Sequence, residues 1–170
     1  MAAYSIAAHE ALGMKRQIFF IDYGGWDNHD EVLNTQAGLL YELDTAIGEF
    51  SDALAELGLG KQVTTFSLSE FSRTLTSNGN GTDHAWGGNV MVMGDDVIGK
   101  KIYGEYPTLA LESSDELGYG VMLPKISADE YFAELALWFG VSPSELSTIF
   151  PVLTNFYQPG PTHPIGFLNA

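Results

Sequence analysis

The chain is 170 residues long, 45% hydrophobic, with a mean hydropathy of +0.03, so it can bury a core and is expected to fold as a single domain over residues 1–170. Its 22 acidic against 7 basic residues leave a formal charge of −15, which repels phosphate backbones and anionic headgroups and so excludes nucleic acid and membrane surfaces as partners. Without cysteine there is no disulfide framework, thiolate zinc site or iron–sulfur cluster, and no apolar run approaches the roughly 20 residues that span a bilayer.

Tyr4 to Met14 carries Ile6, Ala7 and Leu12 at near-helical spacing and ends at Lys15-Arg16, which suits a helix C-terminus. The opening segment has no basic start and is broken by His9 and Glu10, so as written it is not a secretion signal. Gln17 to Tyr23 reads as a strand whose core, Ile18-Phe19-Phe20-Ile21, is apolar on both faces; helices are expected to cover the sheet on both sides. Gly24-Gly25 breaks that strand before Trp26-Asp27-Asn28-His29-Asp30. From about Glu31 to Leu57, Leu33, Ala37, Leu40, Leu43, Ile47, Phe50, Leu54 and Leu57 recur at steps of three and four, the period of an amphipathic helix, with Gly58 and Gly60 as its stop. Gln62 to Leu68 reads as the next strand, completing a parallel strand–helix–strand unit in which ligands gather beyond the carboxyl ends of the strands.

The glycine-rich stretch from Asn78 to Gly88 is expected to be a loop at that same edge. Val90 to Met93 reads as a short strand and Lys101 to Gly104 as an edge strand, with irregular chain from Glu105 to Val121. Ser127-Ala128-Asp129-Glu130 is a capping box opening a helix to about Phe139, closed by Gly140, and Ser142-Pro143-Ser144-Glu145 opens a shorter one. The proline-bearing tail from about 151 is expected to be irregular. The fold class expected is therefore α/β, a mostly parallel sheet with helices on both faces.

Two of the four histidines stand beside aspartates in the loops assigned to one sheet edge, Asp27 with His29 and Asp83 with His84. Carboxylate oxygens and imidazole nitrogens together hold zinc, manganese and related divalent ions. The plain alternative is a turn-capping Asp beside an exposed His. Asp30 is better read as a cap for the helix that follows it. Arg73, if it reaches the same edge, offers a bidentate grip on a tetrahedral anion or else a structural ion pair. Trp26 and Trp86 either wall a substrate pocket or pack the loops onto the body. His9 and His163 are read as lying outside any site.

The runs Ser69-Glu70-Phe71-Ser72-Arg73-Thr74, Asn78-Gly79-Asn80-Gly81-Thr82-Asp83-His84-Ala85-Trp86-Gly87-Gly88-Asn89 and Gly99-Lys100-Lys101-Ile102-Tyr103-Gly104-Glu105-Tyr106-Pro107, preceded by Gly24-Gly25-Trp26-Asp27-Asn28-His29, resemble the bacterial DUF1501 family. The resemblance runs from about Ala7 to Leu168. It implies the alkaline phosphatase and sulfatase superfamily, an α/β/α fold, and a pair of metal ions held by Asp27, His29, Asp83 and His84. Arg73 would then act in catalysis and Trp26 and Trp86 at the substrate. Zinc is the first expectation for the ion, with manganese, calcium or magnesium as alternatives, and a small-molecule phosphate or sulfate ester is the implied substrate. Longer relatives often carry a twin-arginine export signal, implying a periplasmic setting for them. By the same resemblance the chain corresponds to the C-terminal portion of that fold, with the nucleophile outside it and the two-metal site incomplete. The alternative expectation is a non-catalytic module that pairs with a missing N-terminal half, a second copy in a homo-oligomer, or another protein.

Overall fold

The computed structural model describes residues 1–160 and 162–169. In chain order the elements are helix α1 (Ala2–Ala7), helix α2 (Val32–Leu57), strands β1 (Thr65–Phe66), β2 (Ser72–Ser77), β3 (Thr82–Ala85) and β4 (Val92–Met93), and helices α3 (Ala128–Phe139) and α4 (Leu146–Ile149). Single 3-10 turns at Gly60–Gln62, Pro143–Glu145 and Leu153–Asn155 join them.

The helices whose ends are written locally form where the residues place them. Ser127 Oγ accepts the Glu130 N–H at 3.1 Å and Glu130 Oε2 accepts the Ser127 N–H at 2.9 Å, a reciprocal cap that satisfies two otherwise orphaned donors at the start of α3. Gly140, at φ +100°, ends that helix in a left-handed conformation. Gly58 ends α2 in the same way at φ +69°, and the Leu59 N–H closes back on the Leu54 carbonyl at 3.0 Å. The first helix is shorter than its periodicity implies: α1 stops at Ala7 and the chain continues in turns to Gly13.

The sheet expectation fails. Among the described residues the strands form two separate two-stranded antiparallel sheets, β1 with β4 and β2 with β3, and there is no parallel pairing and no sheet covered by helices on both faces. Residues 17–23 take no regular secondary structure and form no backbone–backbone hydrogen bond with other described residues, and Ile18, Phe20 and Ile21 are 77%, 78% and 75% exposed. The physical reason is that an apolar run becomes a core strand only when neighbours supply both its ladder partners and its covering layers, and none of the described residues does so. Gln62 to Leu68 shrinks to β1, which meets β4 antiparallel through Thr65↔Met93 and Phe66↔Val92. Lys101 to Gly104 forms no strand.

The glycine-rich stretch after β2 is a hairpin, not a loop. The Asn78 N–H bonds the Gly81 carbonyl at 3.1 Å and Gly79 takes φ +120°, so Asn78 to Gly81 is a turn that folds β3 back on β2 with Arg73 opposite His84 and Ser77 opposite Thr82.

The core lies on α3. Tyr131 and Leu135 pack with Phe167 and Leu168, while Ala133 packs with Leu146 and Leu153. Glu134 is fully buried between these clusters, and its carboxylate accepts the N–H groups of Ile165 and Gly166 at 3.0 Å each and of Leu168 at 3.2 Å. A carboxylate that receives three backbone donors is compensated for its burial and holds the tail against the helix. By contrast α2 covers little: Leu54, at 7% exposure, is the one buried residue along its 26 positions. The accessible surface is 11441 Å², against about 8,200 Å² for a compact chain of this mass. No helix among the described residues is long and apolar enough to cross a membrane.

Candidate metal centre

Two pieces of backbone build the site. The first is the turn after Gly24-Gly25, where Asn28 is buried and its Nδ2 donates to the Gly25 carbonyl at 2.9 Å, so that Asp27 and His29 are presented outward on either side of it. The second is the β2–β3 hairpin. Gly81 makes their approach feasible: a Cβ there would fall 2.3 Å from the carbonyl carbon and oxygen of His29. Only a residue without a side chain lets the turn lie against that peptide.

On this frame the side chains converge on Asp27. Its Oδ1 lies 2.8 Å from Nε2 of His84, 2.9 Å from Nε2 of His29 and 2.9 Å from NH1 of Arg73. The ligand-capable atoms of Asp27, His29 and His84 all lie within 4.8 Å of one another. The other ring nitrogen of His29, Nδ1, lies 3.0 Å from Oδ1 of Asp83. His29 thus has a carboxylate oxygen at each nitrogen. A neutral imidazole has one N–H and satisfies one of the two; the other contact becomes favourable only when a cation, a proton or a metal ion, is shared across it.

The carboxyls carry the electrostatic imprint of this crowding. The hydrogen bond from His84, then that from Arg73, holds the Asp27 carboxyl below the ordinary aspartate range. For Asp83 the largest cause is the Asn78 amide, followed by His29. Both remain anionic at neutral pH, the form a cation requires.

Arg73 sits directly opposite His84 in the hairpin. Four of its five N–H donors are engaged: Nε with Thr82 Oγ1 at 2.9 Å, NH1 with Asp27, and NH2 with the carbonyls of Asn28 and Thr82. Its side chain is 17% exposed, so it acts here as a fork that ties the two pieces of the site together. Trp26 meets Tyr23 edge to face at 5.7 Å, and the Tyr23 hydroxyl donates to Glu42 on α2, which packs this end of the loop onto the helix. Trp86 is 65% exposed. Asp30 accepts the Glu31 N–H at 3.1 Å at the start of α2. His9 closes a turn on the Ile6 carbonyl, and His163 lies 3.4 Å from Glu134, so neither belongs to the cluster.

Three neighbours went unread in the sequence. Phe71 stacks on His84 with ring centroids 3.9 Å apart and planes 3° from parallel, and its ring also faces the Arg73 guanidinium. Thr74 Oγ1 accepts the Asp83 N–H, and Asn78 Nδ2 donates to Asp83. The available signal was the repeated Asn-Gly at 78–81 between β-prone residues, which marks a hairpin and so places Phe71, Arg73 and His84 side by side. A surface hollow lined by Glu31, Asn34, Ser77, Asn80 and Thr82 adjoins the turn and includes none of Asp27, His29 or His84.

Compared with known proteins, residues 1–147 match the family described as "Protein of unknown function (DUF1501)". No curated protein and no solved structure matches the chain.

Proposed function

The chain belongs to the DUF1501 family, and from its site residues we propose that it is a divalent-metal-binding domain of the kind that hydrolyses phosphate or sulfate esters. The observation that carries this reading is the convergence of Asp27, His29 and His84, whose donor atoms come from a loop and a strand far apart in sequence to within 4.8 Å of one another. A carboxylate with two imidazoles is a donor set suited to zinc, and manganese, calcium or magnesium are the alternatives to test. Asp27, His29 and His84 would hold the ion. Asp83, with its remaining oxygen, is the ligand available for a second one.

When bound, such ions supply Lewis acidity toward an ester oxygen and lower the pKa of a hydroxyl or water. The chain's own residues orient and charge the site. Asp83 holds the Nδ1 of His29, which leaves its Nε2 directed at the cluster. Arg73 keeps Asp27 in place and adds positive charge beside any anionic ester that approaches. Trp86, exposed in the residues directly after His84, is a surface for the organic part of such an ester.

Elemental analysis of dialysed protein tests this reading. Bound zinc or manganese near stoichiometry is expected in the wild type and loss of it in the His29→Ala/His84→Ala variant; wild-type protein without metal overturns the proposal. Turnover of aryl phosphates or aryl sulfates that a chelator abolishes supports a hydrolase, and metal binding without turnover restricts the reading to a binding domain.

A second reading is favoured by residues 17–23. An exposed apolar segment outside the two sheets is open to pairing with another strand, so a non-catalytic module that docks with another polypeptide or a second copy accounts for the surface it leaves open. Light scattering across concentration, comparing the wild type with Phe20→Asp, tests this. A wild type that stays monomeric and binds no apolar dye removes it.

A further inference from the structure

We propose that Asn78 is a positioning residue of the metal site, the group that sets how the Asp27–His29 loop stands against the Asp83–His84 strand; this rests on the metal-binding reading above.

All three polar arms of this one side chain are engaged. Its Oδ1 accepts the Gly81 N–H at 2.9 Å, which fixes the carboxamide plane within the turn. Its Nδ2 then donates to the carbonyl of His29 at 3.0 Å and to Oδ1 of Asp83 at 3.1 Å. A turn-forming asparagine needs only the first contact. The other two reach a loop 49 positions away in sequence and a side chain of the site itself. His29 is consequently held twice: at its carbonyl by Asn78, and at its ring Nδ1 by Asp83, whose carboxylate the same amide orients. Gly81, whose backbone lies against the His29 peptide, has no room for a side chain of its own that could take over the contact.

Only a carboxamide serves here, because it presents one acceptor and two donors in a plane. Aspartate keeps the size, the turn propensity and the Gly81 contact, but turns an oxygen toward two other oxygens, those of His29 and Asp83. It also adds negative charge, which by itself favours cation binding. Asn78→Asp therefore separates positioning from both turn formation and charge.

The test is zinc affinity by competition with a chromophoric chelator, with the visible spectrum of the cobalt(II)-loaded protein as a second readout. Asn80→Ala serves as the control, since the Asn80 side chain bonds Asp30 and Glu31 and not the cluster. Circular dichroism establishes that each variant is folded, and Asn78→Asp carries the test if Asn78→Ala does not fold. Expected are a loss of about 10- to 100-fold in affinity for Asn78→Asp and Asn78→Ala, the range for groups that orient metal ligands, and a shifted cobalt spectrum. Asn80→Ala should stay within about twofold of the wild type on the same scale. Asn78→Asp binding zinc as tightly as the wild type overturns the inference alone. Wild-type protein that takes up neither zinc nor cobalt overturns the site and the inference together.

Discussion

Asp27 and His84 stand 57 positions apart in the chain, yet Nε2 of His84 lies 2.8 Å from Oδ1 of Asp27. This contact is the largest cause of the lowered Asp27 pKa, ahead of Arg73. In His84→Ala, the Asp27 carboxyl should titrate at higher pH than in the wild type, moving toward the ordinary aspartate value. Carbon-13 chemical shifts of the side-chain carboxyl, followed through an acid titration of metal-free protein, read this directly. An unchanged midpoint would break the link between the two residues.

Arg73 bonds acceptors on both pieces of the site, including two backbone carbonyls. Removing it in Arg73→Ala leaves those acceptors without their donor, at a cost of about 2–3 kcal/mol in unfolding free energy. Arg73→Lys should recover less than half of this, because an ammonium cannot reproduce the planar fork. Urea unfolding measures both.

Glu134 → Gln replaces one carboxylate oxygen with an amide that faces backbone N–H groups instead of accepting them. With no solvent access to compensate, the loss should be about 3 kcal/mol. Hydrogen exchange should accelerate first at Ile165, Gly166 and Leu168. Uniform exchange across the chain would show that the tail is not held by this residue.

Asp115 and Lys125 form an ion pair beside the irregular segment before α3. Hydrogen bonding to Lys125 depresses the Asp115 carboxyl, and hydrogen bonding to Asp115 raises the Lys125 ammonium. The carboxyl's contribution to stability is present above its unfolded pKa and is lost as pH falls through the lower folded value. The ammonium's contribution is present below its unfolded pKa and is lost as pH rises through the higher folded value. Stability from this pair is therefore flat through neutrality and declines at both extremes, below about pH 4 and above about pH 10. Asp115→Asn should flatten the wild-type profile of urea midpoint against pH at both ends.

Helices and residue types at the site were legible in the chain because their causes are local. Ser127 and Glu130 cap α3 from within four residues, Gly58 and Gly140 end helices through their own backbone freedom, and the three-and-four spacing of α2 is a property of the segment alone. The aspartates and histidines were likewise legible as candidates, since a carboxylate or an imidazole carries its chemistry wherever it is placed. Ile18 to Ile21 show where such reading stops. Their composition says strand, but pairing and burial are supplied by other segments, and here those residues remain exposed and outside both sheets.

What the sequence determined by itself, then, is the span of α2 and of α3, the absence of thiol chemistry and the presence of Asp beside His in two glycine-flanked segments. The tertiary structure alone decided that the β2–β3 hairpin lies against the Asp27–His29 segment, and that Asp83 approaches the far nitrogen of His29 while Asp27 gathers the rest. Those relations depend on distances between segments some fifty residues apart, and such distances follow from where backbone hydrogen bonds and close glycine contacts let the segments meet.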